Sequence, residues 1–169
     1  MRAAGQTETR ATKKEGELMP RDWCLPLTYL PKVRPVKRGE CTQTIRFCTI
    51  SKSKKHPGEI IRKWEGDRVR FYCWTGRPYW SHPEYITGYM ELVTVINCII
   101  GESGITFYDE WQPGVFQNPS SYPWESLDWL AELDFIDPPT GETLRDVLIG
   151  KNGKIPAEGA LAQILMWKP

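Results

Sequence analysis

Strict alternation in two stretches and one long β-branched run constrain this chain more than any other feature. Thr42 to Ile50 alternates, with Thr42, Thr44, Arg46 and Cys48 on one side and Gln43, Ile45, Phe47 and Thr49 on the other. That is the two-residue period of a strand. Arg68 to Trp74 alternates again and puts Val69, Phe71 and Cys73 on one face, after the turn residues Glu65-Gly66-Asp67. Tyr85 to Ile100 is the longest β-branched stretch, expected as one long bent strand or two in succession around Gly88. The apolar stretch Leu25 to Leu30 reads as a short strand and then a turn, and the spacing of Pro26, Pro31 and Pro35 prevents a long regular helix. Helical spacing is expected only late, at Trp124, Leu127, Leu130 and Ala131, and then from a Thr140 cap through Gly141 to Leu148, ending at Gly150. Ala160 to Trp167 suits a closing strand. The order predicts a mainly β, α+β domain: a small β-barrel or a strongly bent mixed sheet with two helices late in the chain.

The length of 169 residues fits one such domain and supports a core without disulfides or metal. The net charge of +1 conceals an asymmetry: residues 1–63 carry a net of +9 and residues 64–169 a net of −8. A basic segment attracts phosphate, although charge runs also serve as plain solvated surface. Residues 1–22 are expected to be a disordered extension, since Met1 to Leu18 is polar and lacks aromatic side chains, leaving 23–169 as the domain. The five cysteines form no C-x-x-C pair, and with their odd number this argues for a reducing, cytoplasmic setting. No metal site or cofactor is expected, because zinc ligands usually occur in close pairs. No apolar run approaches the roughly 18 to 20 residues of a membrane span.

The octapeptide Gly39-Glu40-Cys41-Thr42-Gln43-Thr44-Ile45-Arg46, following the basic Lys37-Arg38, resembles the signature of the ASCH family. Further along, Gly66-Asp67-Arg68-Val69-Arg70-Phe71, Gly88-Tyr89-Met90-Glu91-Leu92-Val93 and Leu130-Ala131-Glu132-Leu133-Asp134-Phe135 are similar to other segments of that family. The last of these lacks the family's glycine after the aspartate. The resemblance implies a PUA-like barrel with a pocket for RNA or a modified nucleoside. Some members remove the acyl group from N4-acetylcytidine with a lysine, a threonine and an acidic residue; by motif position these fall on Cys41, Thr44 and Asp134. A cysteine therefore stands where the lysine should. A thiol neither carries a lysine's charge nor reaches as far, so binding is expected rather than lysine-dependent catalysis.

Candidate catalytic residues are thus Cys41, Thr44 and Asp134, with Cys41 either an inert wall or a nucleophile activated by Lys37, Arg38 or Arg46. Lys37, Arg38, Thr42 and Arg46 are candidates for contacting RNA or a nucleoside, because hydroxyls and a guanidinium on one strand face suit a phosphate or a base edge. Arg46 has a second reading, as the partner of Asp67 or Asp134. Trp74, Arg77, Tyr79 and Trp80 lie in and beside a Gly/Pro-rich loop where they either stack on bases or pack on their own domain. Lys52, Lys54 and Lys55 form a basic loop. A hydrolase, either an amidohydrolase or a ribonuclease, is the first alternative; a protein-interaction module of a phage or regulatory complex is the second.

Overall fold

The computed structural model describes residues 19–169 apart from 56, 109–110, 113–114, 117 and 153–154. The expected N-terminal extension, residues 1–18, lies outside the described residues. The elements run β1 (Asp22–Pro26), a 3-10 turn (Leu30–Lys32), α1 (Val33–Lys37), β2 (Gln43–Phe47), β3 (Thr49–Ile50), β4 (Ile60–Ile61), β5 (Arg68–Trp74) and β6 (Pro83–Tyr85). They continue with β7 (Met90–Ile100), β8 (Gly104–Tyr108), β9 (Trp111–Gln112), β10 (Val115–Phe116), β11 (Ser120–Pro123), a second 3-10 turn (Trp124–Ser126), α2 (Asp128–Leu133), α3 (Gly141–Asn152) and β12 (Ala160–Trp167).

The fold is mainly β with helices added, as the alternation requires. An eight-stranded mixed sheet has the path β1-β5-β7-β12-β2, with β6 joined to β5, and β8 and β11 extending from β7. Only β1 and β5 among these pairs run parallel. β7 is the hinge of the sheet: its first residues pair with β5 at Arg68↔Glu91 and Val69↔Met90, and from Leu92 onward it pairs with β12. The register shifts between Met166 and Trp167 at that change of partner. A bulge of this kind bends a strand and sharpens its twist. The bend brings non-adjacent strands face to face, so that Trp167 of β12 lies 4.9 Å from Phe71 of β5, ring to ring. The sheet does not close among the described residues; its path ends on β1 and β2.

Two apolar clusters follow from the two faces. Ile45, Cys98, Ile100, Ile164 and Ala162 on one side pack against Trp124, Leu127, Leu130, Leu144 and Leu148 from α2, α3 and the preceding turn. Leu165, Trp167, Leu92, Val69 and Phe71 on the other side enclose the inner face with Leu27, Val36 and Cys41. Alternation along β2 and β12 assigns residues to these faces, because Thr44 opposes Leu165 and Arg46 opposes Gln163.

Three expectations need correction. The ordered domain begins before residue 23: β1 starts at Asp22, and the Arg21 backbone N–H donates to Asp67 Oδ1 at 3.0 Å. Helix is not confined to the end of the chain, since α1 forms around Pro35. Proline in a first turn removes only an N–H that has no partner within the helix. Gly150 does not end α3, which runs on to Asn152; glycine inside a helix costs about 1 kcal/mol and does not by itself break it.

Candidate functional site

Asp134 is placed by the way α2 stops. The Phe135 N–H donates to Glu132 O and the Ile136 N–H to Ala131 O, the paired bonds of a Schellman turn. Phe135 occupies the left-handed position of that turn, with φ of 56°, the place of the glycine in the segment it resembles. Its ring packs against the inner-face cluster, which gives a reason for a bulky residue in that backbone conformation. The turn directs the Asp134 carboxylate inward, where it accepts a hydrogen bond from the Lys32 ammonium, with both residues buried. Lys32 ends the first 3-10 turn and precedes α1; at 2% exposure it is as hidden as the core leucines.

Cys41 lies in the same neighbourhood and is fully buried. Its Sγ–H donates to Gln43 O at 3.3 Å, and burial pushes the thiol's pKa up despite the nearby Lys32 charge. A neutral, inaccessible thiol is a poor nucleophile. Thr44, only 4% exposed, is on the inner face of β2, one strand repeat from Arg46.

Arg46 dominates that face. Burial pulls its pKa down to about 10, opposed by the Asp134 charge. Its guanidinium carbon is 5.8 Å from the centre of the Phe71 ring. Its Nε is buried and has no hydrogen-bond partner, although the residue as a whole is partly exposed. Among the described residues two further buried donors lack partners, Gln43 Nε2 and Trp167 Nε1. Each unpaired buried donor costs about 1–3 kcal/mol, so such groups call for a reason.

Lys63 closes the other side, 8% exposed, with its ammonium 4.9 Å from the Trp23 ring centre and its pKa lowered chiefly by burial. Its backbone is clamped by the Gln163 amide: the Lys63 N–H donates to Oε1 and Nε2 donates to Lys63 O, both at 3.0 Å. Gln163 Nε2 also donates to Asn97 Oδ1. Asp67 takes no part in pairing Arg46 through any hydrogen bond; its carboxylate accepts from Arg21 N, Trp23 Nε1 and Trp64 N, and so braces β1 against the turn before β5.

The candidates therefore divide. Cys41, Thr44, Arg46 and Asp134 converge on the inner face. Lys37 and Arg38 are exposed on and beside α1, where Arg38 lies 3.7 Å from Glu40, and Thr42 is half-buried. Trp74, Arg77, Tyr79 and Trp80 belong to a different surface, the outer side of β5 and the loop after it. Lys52, Lys54 and Lys55 are exposed between β3 and β4. Lys32, Lys63 and Gln163 were not singled out from the sequence. The Pro31-Lys32 step lies in a proline-punctuated stretch with no periodicity, and nothing local marks a lysine there as buried. Among the described residues, no group of three or more His, Cys, Asp and Glu side chains is arranged to hold a metal ion. No helix there is long and apolar enough to cross a membrane. An open groove of about 280 Å³ lies elsewhere, lined by Ile96, Phe107, Tyr122, Trp129, Leu130 and Met166 on the α2 side of the sheet. Comparison of the chain with protein-family models, curated proteins and solved structures finds no match.

Proposed function

We propose that this protein binds RNA or a modified nucleoside at the Arg46 end of the inner face and does not hydrolyse it. The observation that carries the reading is the Arg46 guanidinium set over the Phe71 ring, with a buried Nε–H that no protein acceptor meets, on a residue that as a whole is partly exposed. A planar fork of donors held against an aromatic ring suits a phosphate or the acceptor edge of a base. The buried ammonium of Lys63 adds positive charge nearby. Catalysis is the weaker reading because its groups are engaged: Lys32 and Asp134 are committed to each other and Cys41 is a buried neutral thiol.

One observation favours the hydrolase as a second reading. A lysine absent from the motif in sequence is present in space, since Lys32 is close enough to Cys41 to influence its titration and is paired with Asp134. The two readings separate on incubation with N4-acetylcytidine and isothermal titration with cytidine, N4-acetylcytidine and a short single-stranded RNA. Binding without product is the expected result. Release of acetate by the wild type that disappears in a Lys32→Met variant shown to be folded by its circular dichroism would establish the hydrolase instead.

A further inference from the structure

We infer that the outer face of β5 and β6 is a stacking platform for single-stranded RNA, a second contact surface beside the inner-face site. The inference rests on the proposed function only for the class of ligand; its geometry is independent.

Alternation along β5 sends Val69, Phe71 and Cys73 inward and therefore Arg68, Arg70, Tyr72 and Trp74 outward. Across the ladder Tyr85 of β6 opposes Tyr72, and Tyr89 stands beyond it. The rings form a continuous series. Trp74 lies 5.4 Å from Tyr79 and 5.4 Å from Tyr72, and Tyr72 lies 6.0 Å from Tyr85. The Arg70 guanidinium continues it, 3.6 Å from the Tyr85 ring centre and 4.8 Å from that of Tyr89, with Arg68 5.6 Å from Tyr89.

Folding does not explain this surface. Tyr79 is 90% exposed and Trp80 88%, so most of the area of these two rings is not removed from water, and Tyr85 and Tyr89 keep 46% and 41% of theirs. The loop that carries Tyr79 and Trp80 is nonetheless built firmly. Thr75 donates to His82 O through both N–H and hydroxyl, the Gly76 N–H donates to Ser81 Oγ, and Ser81 Oγ–H and the N–H groups of Trp80 and Ser81 all donate to Arg77 O. Tyr79 is held in the left-handed region at φ 65°, a conformation that tyrosine rarely adopts.

Charge and shape select the occupant. Asp22 is tied to Arg68, and Glu91 opposes Arg68 across the ladder, so the positive charge among the rings is that of Arg70, with Arg77 exposed in the loop beside them. Aromatic faces interleaved with guanidinium groups accept bases of any sequence and attract the backbone phosphates. A duplex keeps its bases stacked on each other and offers none to such a surface.

The test uses fluorescence anisotropy of the full chain with a labelled oligouridylate of about eight nucleotides at low salt, beside titrations with cytidine. The double variant Tyr79→Ala/Trp80→Ala is expected to lose about tenfold or more in affinity for the oligonucleotide, with cytidine binding and the thermal midpoint unchanged. Equal affinity of variant and wild type for the oligonucleotide overturns the platform; if Arg46→Gln weakens both ligands in that case, the inner-face site still stands. Loss in the double variant with no effect of Arg46→Gln on either ligand supports the platform and removes the inner-face reading. A wild type that fails to bind the oligonucleotide, or that self-associates through these two side chains, also overturns the inference.

Discussion

Lys32 and Asp134 are 102 residues apart in sequence and meet in the interior, which makes each the condition for burying the other. Removing one partner leaves an uncompensated charge, so Lys32→Met should lower unfolding free energy by about 3–5 kcal/mol. Lys32→Met/Asp134→Leu should recover much of that loss, and urea unfolding of the two variants measures both. The thiols divide in the same residue-level way. Cys24 is exposed, and its pKa is lowered chiefly by a hydrogen bond from Arg70 Nε at 3.2 Å, whereas burial raises Cys41, Cys48, Cys73 and Cys98. Limited treatment with iodoacetamide followed by peptide mass spectrometry should find Cys24 modified first and the buried Cys41 and Cys98 last. At this scale the motif was informative in part. Thr44 and Arg46 were legible because alternation assigns them to one face, and Asp134 through the segment that resembles the family's. The burial of Lys32 was not, because it depends on a contact across the whole chain, and a thiol's reactivity is set by surroundings that sequence spacing does not contain.

Among the elements, α3 has the clearest start. The Thr143 N–H donates to Thr140 Oγ1 at 3.1 Å and the Leu144 N–H to Thr140 O. Thr140→Ala should therefore cost about 1 kcal/mol. Gly141 matters for a different reason: a Cβ there would lie 1.6 Å from Trp124 O, so Gly141→Ala forces the helix start away from the preceding turn. It should destabilise by more than Thr140→Ala, about 1–3 kcal/mol or above, in the same thermal or urea measurement. The strands were largely legible because the period of two is local: β5 and β12 match the stretches read from the pattern, Thr42 to Ile50 is not one strand but β2 and, after a break at Cys48, β3 in a separate sheet, and Tyr85 to Ile100 contains the last residue of β6 and all of β7. The late helices carried the apolar spacing of α2 and the cap of α3. The 3-10 turn and α1 were hidden because two prolines mask a helix that is only five residues long.

The whole molecule mixes the two halves of its sequence. β1 and β2, from the basic half, occupy the ends of the sheet path, while β5, β7 and β12, from the acidic half, form its centre. The net charges of the two halves therefore do not translate into two separate ends. Four thiols with pKa values raised above the ordinary 9.0 give the fold an alkaline limit. Their contribution is complete below about pH 9, where the unfolded thiols are still protonated, and is lost as pH rises toward the folded values. The thermal midpoint should fall above pH 9, and Cys98→Ala should reduce that slope, whatever its effect on stability at neutral pH. The account as a whole turns on Arg46. Titrating short single-stranded RNA into wild type and Arg46→Gln over a series of salt concentrations is the most direct test. The account predicts weaker binding in the variant and, where Arg46 meets phosphate, a log-log salt slope shallower by about 0.7. Equal affinity and equal slope in two proteins with the same circular dichroism would contradict it.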